Sequence, residues 1–249
     1  MVVHGGSRVA WSILERLGRF DGSSNLPCPI SMNREAACEV YRRLLLQYPV
    51  IDDRRHFIEF HTPFESLILT ILSAQTTDRS VNAIRDALFA RYPTPEALAR
   101  AEPEEVEPFI HSIGFHHAKA RYIVGTARKL VADFGGEVPR TMEELQTLPG
   151  VGRKTANIVL SHAFGINVGI AVDTHVRRVS KRIGFTESTN PEIIERDLVA
   201  LFPEEAWRDI NYLLIRHGRA ICTAQNPKHE QCLVADLCRY YREMKAGER

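Results

Sequence analysis

Disulfides, membrane spans and excess charge are all scarce in this chain, and each shortage removes a class of function. Five cysteines in 249 residues cannot form the dense disulfide framework of a small secreted scaffold. No run of 18 apolar residues occurs, so no segment reads as a membrane-spanning helix. The start of the chain holds no signal-peptide core, because Ser12, Glu15 and Arg16 interrupt the stretch from Val9 to Leu17. The expected location is the cytoplasm or nucleoid, or the nucleus in a eukaryote, with no membrane partner. Formal net charge is only +1, so bulk charge cannot hold the chain to a polyanion, and any such binding must come from local clustering. Strand-like alternation is missing too, which argues against a sheet-built fold. What remains is an ordinary globular composition, 44% hydrophobic and 25% charged. At this length it buries a real core, as one large domain or two small ones.

Helical periodicity fills most of the chain. Phe64, Leu67, Ile68, Ile71 and Leu72 form one stripe. Ile123, Ala127, Leu130, Val131 and Phe134 form another, stopped by Gly135-Gly136. Ile194, Leu198, Leu201 and Phe202 form a third, and Trp207, Ile210 and Leu214 a fourth. Pro93, Pro103, Pro139 and Pro191 fall at helix starts or between helices. The predicted class is all-α. Residues 1–31 read as an extension punctuated by Gly5-Gly6-Ser7 and Gly22-Ser23-Ser24, with Pro27 and Pro29 flanking Cys28. Met32-Asn33 opens the first helical pattern, and Met32 is the expected physiological start.

The most informative stretch is Leu148-Pro149-Gly150-Val151-Gly152-Arg153-Lys154-Thr155-Ala156. Its glycines permit a tight turn and close backbone approach. Ala156, Val159, Leu160, Ala163 and Phe164 then make one helical stripe. A glycine turn feeding a helix N-terminus offers free amides to a phosphate. By itself such a turn also suits a purely structural helix hairpin. Nineteen residues beyond Lys154 comes Asp173, within Ala171-Val172-Asp173-Thr174-His175; alone, Asp173 reads as a helix N-cap. From His116 to Gly184 eleven lysines and arginines face five acids, an excess clustered around the hairpin that suggests a phosphate-facing surface rather than a merely solvated one.

The full string resembles the helix-hairpin-helix of the endonuclease III family of DNA glycosylases, and the likeness runs from about Asn33 to Tyr241. The resemblance implies a two-domain fold. A six-helix domain, about 56–166, is inserted in a four-helix-type iron–sulfur domain made from both chain ends, 32–55 and 167–245. It also implies a nucleophilic Lys154 with Asp173 as its partner. Leu148, Gly150, Val151, Gly152 and Arg153 would then lie against the DNA backbone. A glycosylase must flip its nucleotide out of the stack, at a cost of roughly a few kcal/mol, and side chains fill the gap. Gln75 of Ser73-Ala74-Gln75 matches the family's gap-filling glutamine; alone it would be a polar residue at a helix end. Ile113-Gly114-Phe115-His116-His117 matches the second wedge. There Phe115 replaces the common leucine and His116-His117 the common tyrosine and asparagine, which puts the substrate preference in question.

Cys222, Cys232 and Cys238 gather within 17 residues, and thiolates this close repel unless a cation holds them. The family's cluster pattern is C-x6-C-x2-C-x5-C, whereas this chain reads Cys222-x6-His229-x2-Cys232-x5-Cys238. Imidazole ligates iron in Rieske centres, so the expected cofactor is a [4Fe–4S] cluster with His229 as one ligand. A three-iron cluster, an empty degraded site and a Cys3His zinc site remain alternatives. Lys228 is the one lysine in a loop that the family uses, in more basic form, on the DNA backbone.

A lysine is a nucleophile only when deprotonated, and the reference value is about 10.4. A helix N-terminus, Arg153 and desolvation would each favour the neutral amine. The leading expectation is a bifunctional glycosylase and abasic-site β-lyase. It removes oxidised pyrimidines from double-stranded DNA through a lysine Schiff base and acts as a monomer. The alternatives are a monofunctional mismatch glycosylase, whose members typically lack this lysine, and a weakly catalytic, cluster-bearing DNA-binding protein.

Overall fold

Proline, threonine and asparagine set the helix starts. Thr62, Thr77, Thr94 and Thr141 each accept a backbone N–H from the first turn of the helix they precede, and Asn33, Asn190 and Asp173 do the same. Pro63, Pro95, Pro103 and Pro191 begin their helices, where a missing N–H costs nothing. The computed structural model describes residues 32–49 and 57–247. The expected leader 1–31, with Cys28, lies outside the described residues. Twelve α-helices and no strand occur among the described residues, so the fold is all-α.

The chain divides into two compact units. One spans His56–Val168; the other joins the chain up to Arg55 with Gly169–Arg249. The first holds α2 (Pro63–Leu72), α3 (Asp78–Arg91), α4 (Pro95–Ala99), α5 (Pro103–Ile110), α6 (His116–Phe134), α7 (Met142–Leu145) and α8 (Arg153–Phe164). α2 is its axis. All its residues from Phe64 to Leu72 except Glu65 are buried, because α6 and α8 both pack on it. Leu67, Ile68, Ile123, Ala127, Leu130, Val159 and Leu160 meet in one core, where each large aliphatic side chain contributes about 1.5–3 kcal/mol. Val131, placed on the α6 stripe by sequence, is instead 39% exposed. Eight residues overshoot two turns, so it drifts off the face that Ile123 defines.

The second unit holds α1 (Arg34–Gln47), α9 (Thr174–Ile183), α10 (Pro191–Leu201), α11 (Glu204–Ala220), a 3-10 turn at His229–Gln231 and α12 (Arg239–Gly247). α11 packs against α1 and α9. Tyr41 of α1 donates from its hydroxyl to the buried Asp209 carboxylate of α11 at 2.9 Å, so the two chain ends share a core.

Candidate nucleic-acid interface and metal centre

The glycine hairpin sits between α7 and α8. Val151 N–H donates to the Leu148 carbonyl at 3.1 Å and closes the turn. Gly150 has φ +76°, and a Cβ there would lie 3.0 Å from Tyr122 Cβ and Cγ, so both conformation and space demand glycine. The turn is seated on α6, where Thr126 Oγ1 donates to Pro149 O at 2.8 Å. Leu148 and Val151 are 2% and 7% exposed. Their side chains are anchors in the core and cannot reach a nucleic acid, so only backbone groups are available there. Gly152 caps α8 and supplies no side-chain cap hydrogen bond, a helix start of the kind that suits a phosphate. Arg153 and Lys154 occupy the first two positions of α8, and both are exposed.

Gln75 and Phe115 are the only non-glycine residues with positive φ among those described, at 54° and 61°. Each such conformation costs about 1–3 kcal/mol. Both side chains are exposed, Phe115 by 68%. One residue ties their turns together. Lys119, 4% exposed, donates from its backbone N–H to Phe115 O at 3.0 Å. Its Nζ donates to Leu72 O at 2.9 Å, Ala74 O at 2.7 Å and Thr76 Oγ1 at 2.8 Å. Burial pushes its pKa down. Sequence reasoning counted Lys119 as surface charge. The missed signal is its place one turn before Ile123, on the apolar face of α6.

Other cations also turn inward. Arg128 donates to Ala99 O and Ala101 O. Arg178 donates to Cys222 O at 3.1 Å and Gly218 O at 2.8 Å. Arg182 donates to Thr223 O at 2.6 Å and Ala224 O at 2.9 Å. The expected phosphate-facing excess between His116 and Gly184 is therefore smaller than its sequence count, because guanidinium groups there satisfy loop carbonyls. Asp173 lies in the second unit, half-buried. Its Oδ1 accepts from Val176 N at 2.7 Å as the cap of α9.

The C-terminal thiols are held by these arginines. Arg182 Nη1 lies 3.4 Å from Cys222 Sγ, and Cys238 Sγ donates to Arg182 O at 3.2 Å. Cys232 Sγ lies 3.6 Å from His217 Nε2. Arg43 adds a second staple, reaching Leu233 O at 3.1 Å and Asp236 at 2.7 Å. Burial, with smaller contributions from Cys238 and Cys222, pushes the Cys232 thiol up to about 11, so its thiolate needs a cation at neutral pH. His229 stacks on Tyr241, with centroids 4.8 Å apart, and its Nε2 is buried with no hydrogen-bond partner. A buried, unsatisfied imidazole nitrogen fits a metal ligand. Among the described residues no three of Cys222, His229, Cys232 and Cys238 bring their ligand atoms within 4.8 Å of one another. Lys228, on the loop between the first two of these residues, is exposed.

Residues 68–204 match the HhH-GPD superfamily of base excision DNA repair proteins. Residues 222–238 match the iron–sulfur binding domain of endonuclease III. The chain belongs to the endonuclease III family. It is 47% identical over 215 residues to endonuclease III of Synechocystis sp., covering 86% of this chain and 97% of that protein. A solved trapped covalent intermediate of endonuclease III with DNA is 39% identical, with TM-score 0.80, 86% coverage of this chain and 99% of that one. A thermostable thymine-DNA glycosylase is 30% identical, with TM-score 0.72, 84% coverage of this chain and 97% of that one. The protein is a base-excision DNA glycosylase that binds DNA and carries an iron–sulfur domain.

Proposed function

We propose that this glycosylase removes oxidised pyrimidines and then cuts the strand 3′ to the lesion through a Schiff base on Lys154. The observation that carries this reading is Lys154 itself, exposed at the second position of a helix whose glycine cap supplies no side-chain hydrogen bond. That end of α8 suits a phosphate, and an amine beside it suits attack on the neighbouring sugar. The Nζ lone pair forms a bond to C1′ while the bond to the base breaks and the base leaves with the electron pair. A proton is lost from the nitrogen, the ring opens to the iminium, and loss of the 2′ proton expels the 3′ phosphate. Asp173 stabilises positive charge developing on the sugar. Gln75 and Phe115 fill the gap left by the flipped nucleotide, with His116 beside them. Leu148, Gly150, Val151 and Gly152 contribute backbone to the phosphate contact, and Arg153 and Lys228 contribute charge. Cys222, His229, Cys232 and Cys238 would hold a [4Fe–4S] cluster. Bound there, the cluster would supply a fixed cross-link for the C-terminal loop, since base excision needs no electron transfer.

The test is borohydride trapping on thymine-glycol and abasic duplexes. Wild type should form a covalent adduct; Lys154→Gln should bind DNA yet form none. Full trapping by Lys154→Gln would point to another amine and end the assignment. Asp173→Asn should slow base release by orders of magnitude while holding lesion DNA at least as well, because it removes a negative charge facing a polyanion.

A further inference from the structure

We propose that Glu107, His116 and His117 form a binding site for one divalent transition-metal ion of the zinc class. Among the described residues they are the one group of three metal-ligating side chains whose donor atoms all lie within 4.8 Å of one another. Glu107 Oε2 and His117 Nδ1 are 2.7 Å apart. The two imidazole rings lie 4.1 Å apart, tilted by 38°. Adjacent residues on a helix normally point apart. These two are the first residues of α6, entered through the left-handed Phe115, and both present nitrogen to a carboxylate of α5.

The donor set decides the ion class. Two imidazoles and one carboxylate suit zinc, copper or nickel, whereas magnesium and calcium want oxygen alone. Zinc–nitrogen bonds of about 2.0–2.1 Å put neighbouring ligand atoms about 3.3 Å apart, so the Glu107–His117 pair, now 2.7 Å apart, must open slightly to admit the ion. The His117 side chain is 68% exposed and rotates without disturbing the core. The contact that the ion would replace, between His117 and Glu107, is a partly exposed pair worth at most about 1 kcal/mol. Three protein ligands leave at least one position for water or an outside oxygen. The ligands stand on both sides of the 108–115 segment, so the ion would cross-link the last turn of α5 to the first turn of α6 and fix the turn that presents Phe115. This site is separate from the C-terminal thiols, and its existence does not depend on the reaction proposed above.

The experiment is equilibrium dialysis of the iron-loaded protein against zinc chloride, with zinc and iron counted together. One zinc per chain is expected in wild type, with no loss of iron. Loss of a group that merely supports a metal ligand costs roughly 10–100-fold in affinity, so Glu107→Gln and His117→Gln should weaken zinc binding by at least about that. His117 is exposed and Glu107 half-buried, and unchanged helical circular dichroism accompanies the measurement. Zinc-edge X-ray absorption on wild type gives an independent readout. A shell of nitrogen and oxygen with imidazole scattering is expected. A sulfur shell at about 2.3 Å would place the zinc on the cysteines and overturn the proposal, as would undiminished binding in both variants or no zinc in wild type.

Discussion

The glycine hairpin and the C-terminal cysteine loop are both short irregular segments, yet they are held by opposite means. The hairpin is anchored by apolar side chains, with Leu148 and Val151 sunk in a core and Gly150 pressed on Tyr122. The loop from Ile221 to Cys238 buries only Ile221, Val234 and Cys238. Arginine staples from α1 and α9 to its carbonyls hold the rest. A segment held by packing keeps its shape as long as its unit is folded. A segment held by polar staples around three thiols needs a cation to stop those thiols and the buried His229 nitrogen from opposing it.

The largest test of that contrast is removal of iron. Oxidative loss of the cluster should make 222–238 the first site of proteolysis, while cleavage within 142–164 stays at the holoprotein rate. Equal loosening of both segments would show that the hairpin too depends on the cluster. Next comes Lys119→Met, which takes the Nζ donor from Leu72 O and from Ala74 O, the latter keeping only Thr76 Oγ1 at 3.3 Å. It should cost about 1–3 kcal/mol, read as a lowered denaturation midpoint, with loss of gap filling measured by a fluorescent base opposite the lesion. Gly150→Ala should follow at about 1–2 kcal/mol, since it adds a Cβ in a left-handed turn against Tyr122. If Gly150→Ala left stability untouched, packing would not be what sets the hairpin.

The smallest effect concerns Glu39. Hydrogen bonds from Arg42 and Arg43 hold its carboxyl down to about 2. A carboxyl depressed in the folded state adds stability above its ordinary value, and that stability fades as pH falls through the folded one. Glu39→Gln should therefore lose a little stability at neutral pH and match wild type near pH about 2. A constant difference across that range would mean Glu39 acts by packing alone.

Sequence reasoning reached the hairpin and the helices because their causes are local. A 3.6-residue stripe, a threonine cap, a proline at the first position and a glycine with positive φ are all written within a few residues of where they act. The thiols were legible for the same reason of spacing. Arg178, Arg182 and Lys119 were misread as surface charge because their partners are carbonyl oxygens, and every residue has one. Only the folded chain shows that Arg182 meets Thr223, 41 positions away. The pair of left-handed residues was equally silent, since neither Gln nor Phe advertises positive φ.

Lys119 joins those two residues into a single mechanical part. Gln75 and Phe115 project from turns joined through Lys119, whose Nζ donates to Leu72 O and Ala74 O and whose amide donates to Phe115 O. On the function proposed above, such a part arrives at the duplex already ordered. Little conformational freedom remains for it to lose, and the work of opening the helix falls on the DNA. Sound and damaged base pairs differ in that work, and a stiff probe converts the difference directly into residence time, with no adaptive motion of its own to blur it.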